Sequence, residues 1–134
     1  MKRTRILLPL FLLLLALCAL SVAASAADST VVFLADGGSG DGTSAESPVG
    51  TLTAAYDALD LTKDCTVVLV GKFTQEKGVN FTRKAAYTGS VTLTSVYGGI
   101  DYRESGAVYE FNNNRFYLYG ETTFENMHFN TTSG

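Results

Sequence analysis

The chain has 134 residues and carries ten Lys and Arg against thirteen Asp and Glu, a formal net charge of −3. Nucleic acids and anionic membranes attract strongly basic surfaces, so this charge balance argues against both as partners. The length suits one small domain.

The first 26 residues have the pattern of a secretory signal peptide. A basic start, MKRTR, precedes an apolar run over residues 6–20 that is too short to span a bilayer comfortably. The small residues at 24–26 fit the A-x-A pattern of a cleavage site, so we predict cleavage after Ala26; an uncleaved membrane anchor is the alternative. We therefore expect secretion to the extracellular space or to the cell surface of a bacterium, with no membrane span left after cleavage.

Removal of this segment changes both the charge and the cysteine count. The mature chain keeps seven Lys and Arg against all thirteen Asp and Glu, so its formal charge is near −6. It keeps one cysteine, Cys65, which excludes an internal disulfide framework. Because Cys65 stands just before an apolar segment, we expect it to be buried.

The mature chain begins with a predicted strand, a glycine-rich loop and a short helix. Residues 30–35 (TVVFLA) are β-branched and apolar, which is typical of a strand. Four glycines stand within 37–42, and Thr51 then offers an N-cap. The apolar stripe of a helix follows at the spacing i, i+3, i+4 and i+7, on Leu52, Ala55, Tyr56 and Leu59.

Downstream, the sequence predicts short strands and no second helix. Residues 65–74 (CTVVLVGKFT) form a near-continuous apolar run, which is typical of a strand buried on both faces. Residues 90–99 (SVTLTSVYGG) alternate apolar Val and Leu with Thr over 91–94. Residues 106–114 (GAVYEFNNN) place Ala107, Tyr109 and Phe111 on one face and Val108 and Glu110 on the other. Residues 115–130 read as three further, very short strands.

The spacing of these strands indicates a repeat. Leu69, Leu93 and Leu118 are separated by 24 and 25 residues. A period of about 25 residues built from short strands predicts a β-solenoid. Gly120 and Asn126 can adopt the left-handed backbone conformation that sharp bends between such strands need.

Two segments resemble the amino-terminal part of a right-handed parallel β-helix of the pectate-lyase-like superfamily. Residues 40–59 (GDGTSAESPVGTLTAAYDAL) are similar to an entry signature of such proteins, in which the loop leads to a short helix that caps the open coil. Val49 stands where that signature often has an aromatic residue. Residues 118–130 (LYGETTFENMHFN) resemble one rung of the coil, with Asn126 at the place of an asparagine that stacks between rungs inside a corner.

The resemblance implies a mainly β protein, a right-handed parallel β-helix whose first rungs follow a short capping α-helix. We divide the chain into a signal peptide (1–26), a strand, loop and capping helix (27–62) and the first rungs (63–134). Because a solenoid needs about three repeats and a cap at each terminus, we expect an incomplete fold, the amino-terminal portion of a longer protein. The residues with structural roles are then Thr51, Leu52, Leu59, Gly120 and Asn126.

The glycine-rich loop raises the question of a bound ligand. Its glycines fit neither G-x-G-x-x-G nor G-x-x-x-x-G-K-[ST], so we do not expect a nucleotide. Asp36, Asp41 and Glu46 offer the hard oxygen ligands that calcium prefers, although the spacing of an EF-hand is absent. The alternative is a solvated acidic turn whose Asp side chains bond the local backbone. We expect no other cofactor.

Other polar residues offer weaker candidates for chemistry. Asp101 with Glu104, and Glu121 with Glu125, are available as carboxylate pairs for glycoside hydrolysis, but we favour solvated surface charge for all four. His128 is the only histidine; we predict that it points outward, and the sequence identifies no partner that would make it a general base. The best candidates for sugar contact share one predicted outer face: Arg115, Tyr117 and Tyr119. The alternative, which we favour, is that a neighbouring loop covers the two tyrosines.

Three functional hypotheses follow. The resemblance implies a secreted or cell-surface β-helix that binds or processes extracellular polysaccharide, either as a lyase or hydrolase or without catalysis. A non-catalytic adhesin or structural stalk is the second hypothesis, and an inactive truncated product is the third. The resemblance implies that catalytic groups lie on the outer face of several stacked rungs, and we expect only the first two or three rungs here, so we expect no catalytic residue in this segment. The assignment to polysaccharide is an analogy, because fold alone does not determine function.

Overall fold

The computed structural model describes residues 29–75, 88–112 and 120–131. The predicted signal peptide, the third leucine of the spacing pattern (Leu118) and the candidate sugar contacts Arg115, Tyr117 and Tyr119 lie outside the described residues.

Short strands dominate the described part of the chain, with one short α-helix and one turn of 3₁₀-helix. The α-helix α1 spans Leu52–Ala58 and the 3₁₀-helix spans Tyr102–Ser105. The strands are β1 (Val31–Leu34), β2 (Cys65–Leu69), β3 (Lys72–Thr74), β4 (Val91–Thr94), β5 (Val96–Tyr97), β6 (Ile100–Asp101), β7 (Val108–Phe111), β8 (Thr122–Glu125) and β9 (Phe129–Thr131).

Two small, open parallel sheets form the body of the molecule. The first contains four strands in the order β1-β2-β4-β8, and the second contains three in the order β3-β7-β9. Every pairing within these two sheets is parallel. The chain passes from the first sheet to the second three times, from β2 to β3, from β4 to β7 and from β8 to β9. A mainly β fold with parallel sheets and few helices is thus confirmed.

The core lies between these sheets and the helix. Strand residues alternate between the core and the outer face, so Val67 and Leu93 are each 1 % exposed while Thr66 and Thr92 face outward. On the second sheet Phe73 and Tyr109 are fully buried, with ring centroids 5.3 Å apart in an edge-to-face arrangement. Cys65 is also buried, as predicted.

The helix is shorter than the apolar stripe suggests. Thr51 is its N-cap, and the Thr51 hydroxyl accepts a hydrogen bond from the Ala54 N–H at 3.0 Å. Leu52 is fully buried, in agreement with the stripe. Leu59 is buried too, but it is the C-cap with extended backbone, and the helix ends at Ala58. The next residue, Asp60, donates its N–H to the Ser29 carbonyl, a partner outside the helix.

The strand register does not follow the equal leucine spacing. Leu93 pairs with Val67 on one side and with Phe124 on the other. Neighbouring strands are offset by 26 residues between Cys65 and Val91 but by 31 between Val91 and Thr122. The segment from β4 to β8 is longer because it contains an inserted hairpin and the 3₁₀-helix.

That insertion was not predicted from the sequence. Strands β5 and β6 form an antiparallel hairpin around Gly98 and Gly99, both with positive φ, as a tight two-residue hairpin turn requires. The hairpin folds back over the outer face of the four-stranded sheet, where the Tyr97 ring meets Phe33 edge-on at 5.7 Å. Val68, the register partner of Phe33 on β2, is fully buried as well.

Candidate functional site

The glycine-rich loop, residues 36–50, runs along the outer edge of β1. The Phe33 N–H donates to the Gly42 carbonyl at 2.9 Å, and the Val49 N–H donates to the Phe33 carbonyl at 2.9 Å. The Ala35 N–H donates to the Val49 carbonyl at 3.1 Å. The loop therefore satisfies the backbone groups that an edge strand would otherwise present to solvent.

The glycines of this loop serve its internal packing. A Cβ on Gly38 would lie 2.5 Å from the Pro48 carbonyl oxygen, and a Cβ on Gly40 would be closer still to Ser47. The Gly40 N–H donates to Pro48 at 2.9 Å and the Gly42 N–H to Ser47 at 2.8 Å. Because these amides and this space are already used within the loop, the geometry gives no phosphate cradle.

Asp36 fastens the start of the loop to the second sheet. Its carboxylate accepts the Thr74 N–H at 3.0 Å and the Thr74 hydroxyl at 2.8 Å. The Asp36 N–H donates to the Lys72 carbonyl at 2.8 Å. The sequence could not show this role, since the partner lies 38 residues away.

Two of the three carboxylates proposed for calcium, Asp36 and Glu46, line one depression, and Asp41 does not line it. Asp41 accepts the N–H and the hydroxyl of Thr43 at 3.0 and 2.7 Å, and these bonds lower the pKa of Asp41. Glu46 is exposed and lines an open depression of about 380 Å³ together with Asp36. Within the described ranges, no group of three or more His, Cys, Asp and Glu side chains is placed to hold a metal ion. Calcium binding stays a prediction of the sequence.

The outer face of the three-stranded sheet carries paired charges. Lys72 on β3 forms an ion pair with Glu110 on β7 at 2.9 Å, and Glu110 raises the pKa of Lys72. Asn130 on β9 stands in register with Glu110. His128 is exposed, as predicted, and its carbonyl accepts the Tyr109 N–H at 2.9 Å.

The proposed carboxylate pairs show no arrangement for acid and base catalysis. Asp101 accepts the Arg103 Nε–H at 2.8 Å, and Arg103 holds the pKa of Asp101 at about 2. A carboxylate kept ionised in this way is a poor general acid. Glu104, Glu121 and Glu125 are exposed to solvent, in line with the predicted surface charge.

A row of threonines crosses the outer face of the four-stranded sheet. Thr66, Thr92 and Thr123 are register partners on β2, β4 and β8. Adjacent strands lie about 4.8 Å apart, so the three hydroxyls are spaced by roughly that distance. The hairpin lies beside this row and exposes Tyr97 (40 %) and Ile100 (54 %). Sequence reasoning missed this surface because the register was not known.

The two bend residues have the predicted backbone conformation. Gly120 has φ of 86° and Asn126 has φ of 50°, both in the left-handed region. Asn126 is exposed, so its side chain does not lie inside a corner in the described part of the chain.

Among the described residues, no helix has the length and apolar character needed to cross a bilayer. Comparisons with protein-family models, with curated proteins and with solved structures gave no match to this chain.

Proposed function

We propose that the two parallel sheets are two faces of a right-handed parallel β-helix of the pectate-lyase-like kind, in which each turn contributes one strand to each sheet. The support is a repeated chain path. Three times, the chain adds one strand to the four-stranded sheet and then one strand to the three-stranded sheet. Parallel strands joined by crossover connections are right-handed in about 98 % of cases, which gives the hand of the coil. The loop and helix then cover the first edge.

We infer further that this is a secreted or cell-surface protein that binds extracellular polysaccharide, without catalysis by the described residues. This proposal rests on the row of Thr66, Thr92 and Thr123 beside the exposed Tyr97 ring. Hydroxyls both donate and accept hydrogen bonds, as sugar hydroxyls do, and an aromatic ring presents a flat apolar face to a sugar ring. The row is uncharged, which suits a neutral glycan.

The tyrosines that the sequence predicts to point outward are further candidates for glycan contact. Arg115, Tyr117 and Tyr119 are the additional contacts that the alternating pattern of 115–119 suggests. We assign them to glycan binding together with the threonine row.

A non-catalytic stalk or adhesin is the second candidate. It is favoured by the aspartates, because Asp36, Asp41 and Asp101 all have their carboxylates engaged in intramolecular hydrogen bonds. Side chains occupied in this way hold the coil together and are not free to act on a substrate.

The test is affinity electrophoresis of the secreted chain in gels that contain neutral or acidic polysaccharides. We expect retardation by a neutral glycan and no release of reducing ends. Thr92→Val and Tyr97→Ala should each weaken the retardation, whereas the control Thr53→Val, at an exposed position of α1, should not. Equal mobility in every gel would reject polysaccharide binding and leave the stalk, and measurable cleavage would contradict the non-catalytic assignment.

A further inference from the structure

We propose that the glycine-rich loop is a strap, here named the edge strap (residues 36–50), that prevents a second copy of the chain from pairing with β1. This inference is independent of any glycan. It follows from what the loop bonds to and from what β1 would expose without it.

The outer edge of β1 depends on the edge strap for its hydrogen bonds. The N–H groups of Phe33 and Ala35 both point to this edge and both donate to strap carbonyls, on Gly42 and Val49. The Val49 N–H returns a bond to the Phe33 carbonyl. The opposite edge of β1 is fully used by β2. Lifting the strap would therefore free a row of donors and acceptors on one side only.

Without the strap, β1 would favour pairing with β1 of a second copy. The sequence of β1, VVFL, is β-branched and apolar, with no charge and no proline. These are the features that promote pairing between identical edges, and β1 has none of the charged or proline residues by which edge strands usually prevent it. Two copies of an uncharged strand bring no like charges together, so a second copy is the occupant that fits.

The strap is attached at Asp36 and along β1, and Val49 near its other end is buried in the core (6 % exposed). At one end, Asp36 accepts two hydrogen bonds from Thr74 and donates one to Lys72. Within the strap, the arm with Gly38 and Gly40 packs backbone against backbone on Ser47 and Pro48, and no Cβ would fit at either glycine. A side chain at either glycine must separate the arms, and loss of the Asp36 carboxylate must loosen the attachment to β3.

The experiment uses Gly40→Val to part the arms, with Ser39→Val as the matched control because Ser39 is the neighbouring exposed residue. Hydrogen exchange is measured at the Phe33 and Ala35 amides in dilute solution, and sedimentation velocity is measured over a concentration series. For Gly40→Val we expect exchange at both amides to be faster by about tenfold or more, together with a concentration-dependent dimer. Wild type and Ser39→Val should remain monomers with slow exchange at both sites.

Asp36→Ala provides a second test in case Gly40→Val does not fold, as judged by lost protection at Thr66, whose N–H donates to Thr30. We expect Asp36→Ala to keep that protection and to show a smaller change in the same direction. Several results would overturn the proposal: fast exchange at Phe33 and Ala35 without dimers, dimers with unchanged exchange at both amides, or a wild-type dimer joined at this edge. Global unfolding of Asp36→Ala would do so as well, because the loop would then belong to the folding core.

Discussion

Four aspartates hold the backbone in the same way. Each carboxylate accepts both the backbone N–H and the hydroxyl of a single Thr or Ser, which fixes two groups of one residue with one side chain. Two pairs are local, at a separation of two residues, and two join distant segments. The pairs are Asp41 with Thr43, Asp60 with Thr62, Asp36 with Thr74, and Asp64 with Ser90.

Two serines allow the effect of a hydrogen bond to an aspartate to be separated from the effect of burial. Ser90 donates its N–H and its hydroxyl to Asp64 at 3.0 and 2.9 Å. Ser95 is fully buried, and its hydroxyl has no hydrogen-bond partner among the described residues. We expect Ser90→Ala to lower the midpoint of urea unfolding. Ser95→Ala should leave the free energy of unfolding unchanged or raise it by up to about 1 kcal/mol, because an unpaired buried hydroxyl is lost. A destabilised Ser95→Ala would show that this hydroxyl has a partner.

At the scale of elements, stability rests on the central strands of the four-stranded sheet. Strand β4 pairs with β2 on one side and with β8 on the other, and its apolar side chains join the core. The hairpin β5–β6, by contrast, lies on the outer face and exposes Ile100. Substitutions in these two elements should therefore differ sharply in their effect.

Leu93→Ala is the substitution that tests this difference. Leu93 is 1 % exposed at the centre of β4, and truncation of a buried leucine costs about 2–5 kcal/mol of unfolding free energy. Ile100→Ala, at a site that is 54 % exposed, should change the unfolding free energy by less than about 0.5 kcal/mol. Both changes in unfolding free energy are to be measured by urea unfolding followed by circular dichroism. Similar values for the two variants would mean that β4 is not part of the core.

At the scale of the whole molecule, the stability of the fold depends on pH through two aspartates in ion pairs. Lys63 holds the pKa of Asp60 at about 2, and Arg103 does the same for Asp101, whereas an ordinary Asp titrates near 3.8. A carboxyl whose pKa is lower in the folded state binds protons more readily when unfolded. Its contribution is therefore complete above the ordinary pKa and is lost as the pH falls toward 2.

We expect the thermal midpoint of the wild-type chain to fall between pH 4 and pH 2. Asp60→Asn and Asp101→Asn should start from lower midpoints at pH 6 and lose less over the acid range, because the titrating group is absent. Glu104→Gln is a suitable control, since Glu104 is exposed. Thermal unfolding at four or five pH values makes the comparison. Parallel curves for wild type and both Asp variants would contradict the assignment of these ion pairs.

Local features of this protein were determined by its sequence. The strand at 31–34, the cap at Thr51, the burial of Cys65 and the left-handed bends at Gly120 and Asn126 all follow from propensity or from alternation over a few residues. The mainly β, parallel character was predicted in the same way, because repeated short apolar segments must pack against one another to bury their faces.

Features that depend on register were decided only by the tertiary structure. The pairing of Leu93 with Val67 and Phe124 and the Asp36–Thr74 attachment join residues 26 to 38 positions apart, and inserted segments of unequal length hide such offsets from any fixed period. The glycine-rich loop shows the same limit. Its composition was compatible with a phosphate or metal site, and only its position along β1 shows that its amides and its missing side chains serve to cover a strand edge.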